Sequence, residues 1–206
     1  IDTLVIWAEQ YKIDSFRFDL MGVQPLPVMQ EALEIVKTVN PDIYFFGEGW
    51  NIGDKVENRF TPSYQLNLAG TGIGSFSDRL RDAVRGGSPF DGADFLRKNQ
   101  GFANGVYNDP NDQNSGQGAD MNALKLSAMS QADQIMVELA GNLADYVLVN
   151  KEGEVVTGKD IDYGGQPSGY TQSPKEVITY VSKHDNQTLW DINQYKLPAD
   201  MTSAER

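Results

Sequence analysis

IDSFRFD, residues 13–19, and IYFFGEGW, residues 43–50, are the two stretches on which the fold turns. In the first, Phe16 and Phe18 alternate with Ser15, Arg17 and Asp19, the period of two that marks a strand. If the phenylalanines pack beneath covering helices, Arg17 and Asp19 point to the inside of a sheet or barrel. The second stretch stays apolar until Gly47 and Glu48, as expected of a parallel strand covered on both faces. Between them Pro25 and Pro27 open a run in which Met29, Ala32, Leu33, Val36 and Val39 recur at spacings of three and four, and Pro41 closes it. Strand, helix and strand follow in order. Asp19 and Glu48 stand 29 positions apart, about the length of one such unit. Two acids are thereby expected at equivalent C-terminal ends of neighbouring parallel strands, the edge where barrels and open α/β sheets carry their chemistry.

Outward from this core, residues 3–12 predict a helix with Leu4, Trp7, Ala8 and Tyr11 on one buried side. A third strand is expected near Ile73 to Ser77, then a helix over 78–84 with Gly86 and Gly87 as its stop. Residues 88–120 read as a long loop, with YNDPNDQNSGQGAD (107–120) its most polar part. A helix is expected from about Asp120 to Leu143, carrying Leu124, Ala128, Gln131, Ile135 and Leu139. Residues 150–172 are turn-rich. EVITYVSKHDN (176–186) reads as a β-branched strand ending in His184 and Asp185, and TSAER (202–206) as the opening of a further helix. No sequence period of 20–50 residues repeats.

The 206 residues include 29 acidic against 17 basic side chains, a formal charge of -12 that repels nucleic acid and anionic membrane surfaces. A neutral or cationic partner fits better. No apolar run reaches the length of a membrane span, and no basic leader opens the chain. The absence of cysteine excludes disulfides and thiolate metal sites, and a single histidine excludes a multi-histidine metal centre within this chain.

A retaining glycosidase needs a carboxylate nucleophile and a carboxylic acid roughly 5–5.5 Å apart, a spacing that adjacent strand ends can supply. Arg17, on the face of Asp19, suits the task of holding that carboxylate ionised and oriented; an internal ion pair is the alternative. Glu48 lies between Gly47 and Gly49, beside Trp50, where backbone can turn sharply and an aromatic plane can cover a sugar. It reads equally as a loop glutamate beside a core tryptophan. His184 with Asp185 suits hydrogen bonding to sugar hydroxyls and steadying of positive charge, or a surface turn. Gly70, Gly72 and Gly74 do not complete a dinucleotide loop, since YQLNLA before them is no clear strand. Asn186-Gln187-Thr188 matches a glycosylation acceptor at a position where a glycan would crowd the site.

Taken together, FRFDL (16–20), FGEGW (46–50) and YVSKHDN (180–186) resemble three successive conserved segments of the alpha-amylase superfamily of glycoside hydrolases. The fuller strings YKIDSFRFDLMG, AGTGIGSFSDRLRDAVRGG and YVSKHDNQTLWD are similar to the bacterial type I pullulanase family over nearly the whole chain. The resemblance implies an α/β fold, part of a (β/α)8 TIM barrel running from the third helix through the seventh strand. Residues 1–206 would then form the C-terminal portion of the catalytic barrel, with a loop and helix insertion at about 88–172. It implies that Asp19 is the nucleophile, Glu48 the general acid/base and Asp185 the third carboxylate. It further implies that Arg17, Trp50, His184 and Asn186 bind substrate, and that α-1,6 linkages in pullulan and branched dextrins are hydrolysed with retention. No cofactor is needed for the chemistry. Structural calcium is a family habit for which Asp109 and Asp112 are candidate ligands, against a solvated loop. The expected partners are an α-glucan and the remaining barrel segments, and the expected location is extracellular or at the cell surface. The first three strands, the eighth and the family motif at the end of the third strand are absent. An isoamylase-like or α-1,4-cleaving hydrolase, and a sugar-binding fragment inactive without its missing segments, stay open as alternatives.

Overall fold

The computed structural model describes residues 1–51 and 59–206. The chain divides into two compact units. The first comprises Ile1–Phe76, Gly141–Leu143 and Tyr170–Ile178, and the second Ser77–Ala140, Ala144–Gly169 and Thr179–Arg206.

The first unit is built on a parallel sheet. Strand β1 (Ser15–Phe18) pairs with β2 (Tyr44–Gly47), and β2 pairs with β3 (Gly74–Phe76). A fourth parallel strand, Val177–Ile178, adds on the far side of β3. The order of the four strands across the sheet follows their order in the chain. Helix α1 (Asp2–Gln10) precedes β1, and α2 (Leu26–Lys37) crosses from β1 to β2. Pro27 sits in the first turn of α2, where its missing N–H has no intrahelical partner to lose. The α2 stripe expected from spacing is buried at Met29, Ala32, Leu33 and Val36, whereas Val39 lies beyond the helix and is exposed.

Those side chains meet Phe45, which is fully buried, with Phe16 and Phe18 packed against it at ring separations of 5.8 and 5.0 Å. Burial of each such large apolar side chain stabilises by roughly 1.5–3 kcal/mol. On the other face of the sheet Tyr44, Phe46 and Phe76 form a half-buried aromatic row, and Arg17 shares it. Helix α1 departs from expectation. In this chain only Ala8 is fully buried, while Trp7 and Tyr11 are exposed and pack on each other at 4.5 Å. YQLNLA holds the short helix α3 (Gln65–Leu68), consistent with its poor fit to a dinucleotide loop.

In the second unit α4 (Asp78–Arg85) follows at once, stopped by Gly86 in a positive-φ conformation that glycine adopts without strain. Its buried face is arginine: Arg79, Arg81 and Arg85 are all buried. Arg79 donates to Asp78 at 2.7 Å and to the Pro167 carbonyl at 3.0 Å, and lies 4.9 Å from the Tyr163 ring centre. Arg81 donates to Asp82 at 2.7 Å and to the Tyr180 hydroxyl at 3.1 Å, and Tyr163 donates to Asp82 at 2.6 Å.

Residues 88–120 are not one loop. They contain helix α5 (Ala93–Lys98) and a 3-10 turn at Phe102–Asn104, because ADFLRK has helix-forming residues after the break at Gly92. Helix α6 spans Met121–Leu139, capped by Asp120 accepting from the Ala123 N–H at 3.0 Å, and ends before Gly141. Of the residues expected along it, Leu124, Ala128, Gln131 and Ile135 are half-buried. Leu139 is exposed and the buried positions are Asp133, Val137 and Glu138, since this helix seats polar anchors as well as apolar ones. Glu138 accepts from the Ser77 hydroxyl at 2.7 Å and Asp133 from the Lys151 N–H at 2.9 Å.

The turn-rich 150–172 region contains antiparallel pairings, Val147–Val149 with Val155–Thr157 and Asp162–Tyr163 with Gln166–Pro167. The long strand expected over 176–186 is confined to Val177–Ile178. Beyond it Thr179–Thr188 is irregular before helix α7 (Leu189–Lys196). Thr188, the last residue of the glycosylation-like triplet, caps α7. At the end of the chain Thr202 and Glu205 form a single hydrogen-bonded turn rather than a longer helix.

Candidate active site

Parallel pairing sets Phe18 opposite Gly47. Asp19 and Glu48 are the next residues along, just past the C-terminal ends of adjacent strands. The Glu48 N–H extends the ladder by donating to the Phe18 carbonyl at 3.1 Å. Gly47 must be glycine here, because a methyl group would collide with that same carbonyl.

Arg17 joins the two acids. Its Nη1 donates to Asp19 Oδ1 at 2.7 Å and its Nη2 to Glu48 Oε1 at 2.9 Å. One guanidinium, planar and always charged, thus fixes two carboxylates within its own span. Their exposures differ sharply: the Asp19 side chain is 72% accessible and that of Glu48 only 7%. An accessible carboxylate with one oxygen held suits bond formation to an incoming group, whereas a sheltered one suits proton exchange. The Arg17 guanidinium also lies 5.9 Å from the Phe76 ring centre, which braces it from the side of β3.

Spacing did not point to the residues that support Glu48. Leu20, in the left-handed conformation at φ 45° and ψ 40°, donates its N–H to Glu48 Oε2 at 3.0 Å. Gly22 donates its N–H to the Glu48 carbonyl at 2.8 Å. The Gly49 N–H is received by Ser75 Oγ at 3.1 Å, and the Gln65 N–H donates to the Gly49 carbonyl at 2.8 Å. Gly22 could have been suspected from its type, but a leucine carries no sequence signal for positive φ.

Trp50 is half-buried directly after this turn. His184, Asp185 and Asn186 belong to the second unit and lie in a bend, not on a strand end; His184 and Asp185 are exposed and Asn186 has φ 69°. The Lys183 ammonium lies 3.7 Å from Asp185 Oδ2.

Asp109 and Asp112 line a cleft of about 620 Å³ in the second unit, together with Asp200 and Glu205. Arg97 pairs with Asp112 and holds its carboxyl below the usual range, and Glu205 accepts from the Thr202 hydroxyl at 2.8 Å. Among the described residues no group of three or more histidines and carboxylates converges as a metal site would require.

No family model matches the chain. Individual proteins do. Pullulanase from Klebsiella aerogenes is 53% identical over 195 residues, covering 95% of this chain and 17% of that protein. Pullulanase 1, chloroplastic, from Arabidopsis thaliana is 40% identical over 215 residues, covering all of this chain and 22% of its own. The maltotriose complex of PulA from Klebsiella pneumoniae superposes with a TM-score of 0.90 at 50% identity, over 99% of this chain and 21% of that one. The chain therefore spans about a fifth of the length of the relatives it matches.

Proposed function

From the membership of this chain in the pullulanase family, we propose that it is the catalytic segment of a starch-debranching glycoside hydrolase. It acts on α-1,6-glucosidic linkages of pullulan and branched dextrins by a retaining double displacement. The four parallel strands are part of a (β/α)8 barrel completed by further polypeptide, with residues 88–172 an insertion upon it. The observation that carries this reading is the single guanidinium of Arg17 bound to both Asp19 and Glu48 at neighbouring strand ends.

In the first step an Asp19 oxygen forms a bond to the anomeric carbon while the bond from that carbon to the glycosidic oxygen breaks. Glu48 gives its proton to the departing oxygen. In the second, Glu48 as carboxylate takes a proton from water, the water oxygen bonds to the anomeric carbon, and Asp19 leaves as carboxylate. Arg17, bound to Asp19 Oδ1 at 2.7 Å, orients that carboxylate for the first step. Trp50 covers a sugar face; family resemblance supports Asp185 as the third carboxylate, which steadies the transition state, and His184 and Asn186 as substrate-binding residues.

The full-length protein incubated with pullulan should release maltotriose as its main product. Panose or isopanose, products of α-1,4 cleavage, would instead favour an amylase-like hydrolase, and no turnover a binding role.

A further inference from the structure

We infer that the backbone N–H of Leu20, locked in a left-handed conformation, is a positioning device that fixes the carboxyl plane of Glu48 for proton transfer. The inference rests on the reading of Glu48 as general acid/base given above.

The geometry has a local cause. The chain leaves β1 at Asp19, and two residues later Met21 is fully buried beneath Gly47, where a methyl group on that glycine would lie 3.1 Å from Met21 Sδ. Turning from an exposed Asp19 to a buried Met21 within one residue requires Leu20 at φ 45°, ψ 40°. For an L-residue that conformation is unfavourable, and surrounding structure has to sustain it. The Leu20 side chain does not supply that support, being 49% exposed. The support comes from either side: buried Met21, and Gly22, whose N–H binds the Glu48 carbonyl at 2.8 Å. A methyl group at Gly22 would strike the Trp50 carbonyl oxygen, so the turn closes on residues 48–50 only with glycine there.

The consequence falls on Glu48. Arg17 holds one oxygen of the carboxyl group, Oε1, at 2.9 Å. The Leu20 N–H holds the other, Oε2, at 3.0 Å, so that donors on both oxygens define the plane of the group. Misplacement of such a group is costly even when it remains present, because proton transfer needs alignment as well as proximity.

The test is a substitution series at Leu20 in the full-length protein, ordered by tolerance of positive φ rather than by size. L20G and L20N accept the left-handed conformation, and L20V and L20I resist it through β-branching. Two substrates are compared: pullulan, whose leaving sugar needs a proton, and α-maltotriosyl fluoride, whose fluoride does not. For the fluoride the quantity is kcat/KM, which reports only steps through fluoride departure. L20V and L20I should lose roughly tenfold in kcat on pullulan and less than about threefold on the fluoride, while L20G and L20N stay within about threefold on both. Equal losses on the two substrates, or losses in L20G and L20N matching those in L20V, would overturn the inference in favour of a general structural role or a side-chain contact. E48Q run alongside separates the two claims. If it too loses equally on both substrates, the assignment of Glu48 as the acid is wrong, and the positioning role goes with it.

Discussion

The two units are held together by different chemistry. The first centres on a continuous apolar cluster of Phe45, Met29, Leu33, Val36, Ile43, Leu68 and Ile73, over which Arg17, Asp19 and Glu48 stand at the strand ends. The second has a small apolar cluster of Val137, Leu148 and Ile161, and it also buries Arg79, Arg81, Arg85, Asn104, Glu138 and Lys196. An apolar core tolerates imprecision, since any side chain of suitable volume gains from burial. A buried polar network is stable only when its donors and acceptors are matched, and removing one member leaves the others uncompensated. The first unit is therefore the sturdier platform for chemistry, and the second is the more sensitive to single changes in charge.

A matched pair of substitutions tests that contrast with the largest expected effects. Phe45→Ala should cost about 3–5 kcal/mol, the usual loss for a large aromatic in a packed core. Arg79→Leu, although it adds apolar surface, should still cost roughly 3 kcal/mol because Asp78 and the Pro167 carbonyl lose a buried donor. Urea denaturation gives the sizes, and hydrogen exchange should show amides of the first unit losing protection with Phe45→Ala and those of the second with Arg79→Leu. A neutral or stabilising Arg79→Leu would mean that the second unit relies on apolar packing after all.

A smaller effect separates the units by pH. Lys196 donates to the Asn99 carbonyl at 2.7 Å and also to that of Gly86. Burial lowers its pKa to about 8 from an ordinary 10.5. Between these values the unfolded chain holds a proton that the folded chain has released, so stability should rise with pH from about 8 and be lost as pH falls through that point. Tyr44 in the first unit has the opposite sign. Burial pushes it up to about 12 from 10, so its contribution is full below pH 10 and disappears as pH rises through 12. Between pH 8 and 10 the parent should gain stability relative to Lys196→Met. A constant difference across that range would contradict the burial of Lys196 as a titrating amine.

The same contrast explains what could be read from the sequence. β1, α2 and β2 announce themselves because apolar spacing there is driven by one buried face, and the resulting strand-end placement of Asp19 and Glu48 follows from the period alone. The most buried positions of α6 are not legible in the sequence, because Asp133 and Glu138 are buried through hydrogen bonds, which apolar spacing does not register. The segment 176–186 has strand-forming residues throughout, yet pairing with β3 involves only Val177 and Ile178; β-propensity yields to the availability of a partner. In helix α1 the apolar spacing brings Trp7 and Tyr11 against each other. Leu20 was invisible because its role lies in a dihedral angle and a backbone N–H, which any residue possesses.

The roles of the paired acids can be separated by chemical trapping. In a full-length Glu48→Gln variant supplied with α-maltotriosyl fluoride, glycosylation needs no acid but deglycosylation lacks its base, so the covalent intermediate should accumulate. After acid quench and cleavage following basic residues, the peptide Phe18–Lys37 should carry one maltotriosyl group located on Asp19. Azide, which needs no general base, should release it as the α-glycosyl azide. An unmodified Phe18–Lys37 peptide during continued turnover of the fluoride, or a maltotriosyl group found on any other carboxylate, would contradict Asp19 as the nucleophile.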